Sequence, residues 1–267
     1  MVEVGFDSVT EVAAQFGLVV GRSGPHSSRT MTLEDLDRLL IAVPPDAGFD
    51  KYASAVVDDN VLLKATLANR KGTLRRLREL YTLDKSVPLF RVFRKLWDLD
   101  PQSRPQLALL VAYARDPLLR CTAAVVLETP IESELIRQSV CRAIARLSDG
   151  GMSESTVDKV ARNTSSSWCQ SGHLTGRVRK LRTRVSPSPT AVTLAMVLGY
   201  ATGLRGRSLL TSEFVELLDA DAETARRRAI DARRVGLIDL RESGDVFDVR
   251  FTTLLTEREW RMLNGSN

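Results

Sequence analysis

The chain has 267 residues, 43% hydrophobic and 27% charged, with 38 basic against 33 acidic side chains and a net charge of +5. These values exclude a disordered chain, fit one large or two ordinary domains, and lean toward a polyanionic partner. Aromatics are only 6%, so the core must come from Leu, Val and Ala, which suits helices. Cys121, Cys141 and Cys169 show no CxxC spacing and read as reduced thiols of a cytoplasmic protein. The most apolar stretch, 191–204, is too short to span a membrane and is interrupted by Gly and Thr. The acidic N-terminus has no signal-peptide pattern.

Residues 1–28 read as an N-terminal extension. Ser8-Val9-Thr10-Glu11 is a capping-box pattern for a short helix ending at Gly17, and 21–28 reads as a linker. A helical domain is expected over 29–150. Thr32-Leu33-Glu34-Asp35 opens a helix that Pro44-Pro45 stops. Further helices are predicted over 49–58, 73–81, 87–99, 104–114, 117–127 and 131–147, joined by short loops as in an antiparallel bundle. A connecting helix capped at Ser155 and a basic linker fill 151–187. Ser186-Pro187-Ser188-Pro189 then makes a stiff break.

Residues 188–267 carry the most informative pattern. Helices over 190–203 and 208–218 lead through Asp219-Ala220-Asp221 into a third helix over 222–234, with Asp221 as N-cap. Ala222, Ala225, Ala229 and Ala232 cluster on one face; the opposite face carries Glu223, Arg227, Ile230, Asp231 and Arg234, flanked by Arg226, Arg228 and Arg233. Gly236 ends the helix, and strands 237–240 and 246–251 flank the turn Glu242-Ser243-Gly244-Asp245. This is the outline of a winged helix-turn-helix after a helical bundle, so the fold class is mainly α with a small β-ribbon. Its third helix would lie in a major groove while Arg241 and Arg250 reach phosphates.

Two other windows are basic and free of acids. One holds Lys64, Arg70, Lys71, Arg75, Arg76 and Arg78; the other holds Arg177, Arg179, Lys180, Arg182 and Arg184. A charge run is most often a solvated face, but three Arg-rich windows in one chain favour phosphate contacts. The candidate DNA contacts are therefore Arg70, Lys71, Arg75, Arg76, Arg177, Arg179, Lys180, Arg182, Thr224, Arg227, Arg228, Arg234, Arg241 and Arg250.

Signals for chemistry are weak. His26 and His173 have no partner at metal spacing, and neither GxxxxGK[ST] nor GxGxxG occurs. The acidic pairs Asp58-Asp59 and Asp219/Asp221 would suit a Mg²⁺-dependent nuclease, yet both sit where helix caps are expected. The expectation is a non-enzymatic protein with no cofactor and no metal. Trp97, Trp168 and Trp260 read as core or interface residues.

One block goes beyond pattern. Asn60-Val61-Leu62-Leu63-Lys64-Ala65-Thr66 has the form N-x-L-x-K-x-T and leads into a basic helix with Leu74-Arg75-Arg76-Leu77-Arg78. Later, Gln106-Leu107-Ala108-Leu109-Leu110 leads to Tyr113-Ala114-Arg115-Asp116. Over roughly residues 50–130 the chain resembles the BrxA family of BREX phage-defence systems. The resemblance implies a cytoplasmic, mainly helical, non-enzymatic DNA-binding component that assembles with other defence proteins on double-stranded DNA. It supplies no catalytic residues. The alternatives are a scaffold subunit whose wing docks a protein and a winged-helix transcriptional regulator.

Overall fold

The computed structural model describes residues 11–244 and 246–265. Ser8, Val9 and Thr10 of the first capping-box pattern, and Asp245 of the last turn, lie outside the described residues. The described chain is mainly helical, with two small antiparallel sheets of two strands each.

The first part runs through α1 (Glu11–Phe16), α2 (Leu33–Ala42), α3 (Phe49–Val57), α4 (Leu67–Tyr81) and α5 (Pro88–Leu99). Then come α6 (Arg104–Arg115), α7 (Pro117–Arg120), α8 (Ala123–Leu127), α9 (Arg137–Ser148) and α10 (Glu154–Gln170). Strands β1 (Leu174–Thr175) and β2 (Leu181–Arg182) form a hairpin. After it come α11 (Pro189–Ala201), α12 (Glu213–Glu216), α13 (Ala222–Arg234), β3 (Asp239–Ser243), β4 (Val246–Arg250) and α14 (Glu257–Asn264).

Two helices are apolar on all sides and sit inside the molecule, as a helix without a polar face must. In α6, Leu107 to Ala112 and Ala114 are fully enclosed. In α11, Thr190 to Ala201 are all buried. α6 packs on α4, α5, α7, α10 and α11; α11 packs on α1, α5, α6, α12 and α13. One buried cluster therefore runs from Ala13 to Leu263. Aromatic rings join its layers: Tyr81 stacks on Phe93 at 5.8 Å, and Phe93 meets Trp97 edge-on at 5.2 Å. Arg94 is buried and donates to the carbonyls of Leu40 (2.6 Å) and Val43 (3.1 Å), closing the end of α2.

Several expected elements differ in extent. α4 begins at Leu67, where the Thr66 hydroxyl accepts from Asn69 N–H at 3.2 Å, so Arg70-Lys71-Gly72 lies inside the helix. The expected helix over 131–147 starts only at Arg137, because 132–135 pairs with the β2 strand instead: Glu132 N–H donates to Arg182 O (2.8 Å) and Leu135 N–H to Lys180 O (2.8 Å). The 117–127 segment breaks into α7 and α8. Residues 208–218 form a 3₁₀ stretch, Gly206–Thr211, followed by the single turn α12. Thr32 does not cap α2 through its side chain; it takes a left-handed backbone conformation with φ 51°. Ser153, two residues before the expected Ser155, caps α10.

Residues 21–28 are no linker. His26 is completely enclosed, held by groups that lie 90 and 141 residues further along the chain. A histidine among Gly, Ser and Pro gives no local hint of such distant partners.

Candidate nucleic-acid interface

α13 is specified locally at both ends. The Asp221 carboxylate accepts from Thr224 N–H at 2.7 Å, and that bond and the Thr224 hydroxyl hold its carboxyl below the usual range. At the other end Gly236 takes φ 75°, and the N–H of Leu237 closes on Ala232 O at 2.9 Å. Ala225, Ala229 and Ala232 have no exposure and let α13 lie close against α11. Ala222, expected on the same face, is exposed because it precedes the first full turn.

The outer face forms an open hollow of about 390 Å³ lined by Thr224, Arg227, Arg228, Ile230, Asp231 and Arg234. Its cations are not equivalent. Asp231 holds Arg234 at 3.1 Å and Arg228 at 3.5 Å. Arg227 leans back onto the Thr224 hydroxyl at 3.3 Å and, like Arg233, has no carboxylate partner among the described residues. Arg226 is tied to Glu242 at 2.8 Å on β3, which raises its pKa and lowers that of Glu242. Glu242 thus locks the ribbon to the helix.

On that ribbon Leu240, Phe247 and Val249 point inward, while Arg241 and Arg250 are exposed. The register puts Arg241 opposite Asp248 and Arg250 opposite Asp239. These charges face one another across the strands without closing into an ion pair among the described residues.

The hairpin window divides. Arg177 and Arg179 are exposed, Arg179 pairing with Glu134 at 2.8 Å; Lys180 donates to Gly176 O at 3.0 Å. Arg182, expected among the phosphate contacts, is 1% exposed and cannot reach one. Its guanidinium grips both carboxylate oxygens of Asp219, and Asp219 also accepts from Val185 N–H at 2.9 Å. This fork pins the hairpin to the turn that launches α13. His173 sits beside it, buried, between the Ser171 hydroxyl (2.8 Å) and Leu217 O (2.8 Å). Burial pushes its pKa down to about 4, with Asp219 opposing the shift.

On α4, Arg70 is internal in role. It clamps the preceding loop by donating to Val57 O (3.0 Å) and Lys64 O (3.3 Å). Lys71 and Arg75 are exposed, with Glu79 3.8 Å from Arg75; Arg76 is half-buried and donates to the Ser28 hydroxyl at 3.2 Å.

A buried constellation escaped the sequence altogether. His26 Nδ1 lies 2.7 Å from Asp116 Oδ2, and its Nε2 lies 2.8 Å from Ser167 Oγ. That is the connectivity of a serine nucleophile relay. Its surroundings are those of a structural pin. All three residues are fully enclosed, and Ser167 Oγ already accepts from Met31 N–H (2.8 Å) and donates to Asn163 O (3.1 Å). Burial alone would raise the Asp116 carboxyl. The facing His26 ring and N–H bonds from His26 and Leu118 outweigh it and hold the carboxyl low.

Among the described residues no three His, Cys, Asp or Glu side chains gather as a metal site, and no helix is long and apolar enough to cross a membrane. The three cysteines are half-buried and unpaired as disulfides. Trp97 and Trp168 are core, while Trp260 stacks on Tyr200 at 5.2 Å. No protein-family model and no curated protein matches the chain.

Proposed function

We propose that this protein is a non-enzymatic, double-stranded-DNA-binding component of a BREX-type phage-defence system, related to the BrxA family. In this reading α11, the 206–216 segment, α13 and the β3–β4 ribbon act as a winged helix-turn-helix. The observation that carries it is the division of α13. Its alanine face is buried against α11, while Arg227, Arg233 and Arg234 stand exposed, as do Arg241 and Arg250 on the ribbon that packs against the helix. Arg182–Asp219 and Arg226–Glu242 fix the helix and ribbon in place, so the backbones that carry the arginines are set before they meet phosphates. Asp231 on the same face weighs against tight base reading and favours backbone contacts.

The test is fluorescence anisotropy with a duplex of about 30 base pairs over a range of salt. Five engaged arginines give a slope of log K against log salt of about −4.5. Binding that is absent at low salt would refute the reading.

A second reading rests on a different face. A groove of about 640 Å³ runs between 134–137, α10 and the β1–β2 hairpin, with Ile136 65% exposed and Val178 91% exposed at its rim. Such exposed apolar groups favour a scaffold subunit that docks a protein. Failure of DNA binding would leave that role standing.

A further inference from the structure

α4 contains a glycine where a helix interior least favours one. Gly72 costs about 1 kcal/mol against alanine there. The vacant side of Gly72 is filled by Arg76, one turn on: a Cβ at position 72 would stand 3.2 Å from Arg76 Nη1. The glycine therefore lets that guanidinium fold back along the helix toward the start of α2.

There it meets a small hollow of about 90 Å³ lined by Arg29, Thr32, Asp35, Lys64, Asn69, Thr73 and Arg76. Asn69, Thr73 and Arg76 fall on one face of α4. Lys64 and Asp35 neutralise one another at 2.7 Å. Arg29 and Arg76 have no carboxylate partner among the described residues, and Arg76 uses only its Nε, toward Ser28. Thr32 Oγ1 is buried at the same place without any hydrogen-bond partner. Burial first, then Arg29 and Arg75, lower the Arg76 pKa, with Glu79 opposing in part.

We infer that this hollow between the start of α2 and α4 binds one tetrahedral oxyanion of the phosphate class, gripped by Arg29 and Arg76. Two forked guanidiniums approach from different segments, and hydroxyl and amide donors close the remaining sides, which suits several oxygens around one centre. The volume suits a single phosphate group. Lys64, oriented by Asp35, completes the wall and keeps that carboxylate from repelling the anion. The site is separate from the α13 face and stands whether or not that face meets DNA.

The experiment is calorimetric titration of the full chain with inorganic phosphate, in chloride buffer at matched ionic strength. Saturable binding is expected, with Arg29→Gln and Arg76→Gln each weakening it at least fivefold. Arg142→Gln, an equal charge change on α9, leaves it unaltered. Gly72→Ala keeps the fold, with an equal or higher Tm because it improves helix propensity, yet weakens phosphate by displacing the Arg76 guanidinium. No saturable binding, or equal weakening by Arg142→Gln, overturns the site, as does an Arg76→Gln protein that binds like the parent.

The two sources of such a group separate in the duplex assay. If the anion is a nucleic-acid backbone phosphate, Arg76→Gln lowers the salt slope by about one, and free phosphate competes with the duplex. If it is a free phosphate or small phosphorylated molecule, phosphate binds while duplex affinity ignores both changes. A protein that takes phosphate and no duplex keeps this site and loses the DNA reading.

Discussion

Replacing His26 by alanine puts the buried pin to the test. The substitution removes the ring contact to Asp116 at 2.7 Å and the contact to Ser167 at 2.8 Å. Asp116 keeps two backbone donors, His26 N–H and Leu118 N–H, each at 2.8 Å. It is therefore not stripped, but it loses its one side-chain partner inside the core. Losing a hydrogen bond to a charged group costs about 1.5–3 kcal/mol, and the vacated imidazole volume adds about 2 kcal/mol. Ser167 retains Met31 N–H and Asn163 O and adds little. The expected loss is about 4 kcal/mol, a large part of the 5–15 kcal/mol typical of a whole protein.

Equilibrium urea unfolding followed by tryptophan fluorescence measures it, since Trp168 is buried one residue from Ser167. Asp116→Asn and the double variant complete a cycle, with a coupling above about 1 kcal/mol expected. A loss below about 1 kcal/mol for His26→Ala would refute the reasoning. The pH dependence follows from the depressed Asp116 pKa. Its contribution is present above the ordinary carboxylate value and is lost as pH falls through the lower folded value. The native protein is expected to resist a fluorophosphonate that labels activated serines; labelling of Ser167 would turn the pin into a nucleophile.

Other outcomes follow from the same contacts. Arg227→Ala combined with Arg241→Ala is expected to weaken duplex binding at least tenfold and flatten the salt slope by about two, and unchanged anisotropy would count against α13 as the binding face. Arg182→Ala leaves Asp219 enclosed without its fork and is expected to cost about 3–5 kcal/mol, whereas Arg179→Ala, which breaks an exposed pair, costs under about 1 kcal/mol; equal midpoints in urea would refute the distinction. His173 is held neutral, its pKa lowered to about 4. Its contribution is whole above the unfolded value near 6.5 and drains away as pH falls toward 4, by up to about 1.4 kcal/mol per unit. Replacing it with asparagine should flatten the stability profile in that window.

What the sequence made legible was whatever the chain decides locally. Asp221 before the alanine stripe and Gly236 after it mark α13 by capping chemistry alone, and period-two alternation marks Phe247 and Val249. The oily 191–204 run shows up as a helix of the last third because no charged residue interrupts it. What stayed hidden depends on partners far away in the chain. Arg182 looks like any other member of a basic run until Asp219 closes on it. His26 looks like linker until Asp116 and Ser167 enclose it. The 3₁₀ geometry of 206–211 is set by its neighbours α11, α13 and β4, against a helical periodicity that was present but too short to prevail. Gly72 read as the residue before a helix starting at 73, and only its place inside α4, with Arg76 folded over it, gives the glycine a use.

α11 is greasy all the way round because it has a neighbour on every side: the early helices against one flank and α13 against the other. A fragment beginning near residue 188 would bare one whole flank of that rod to water and is expected to aggregate or unfold. The last third of this chain is thus a graft that cannot be cut from its stock, and any load borne by α13 is transmitted through α11 to the bundle.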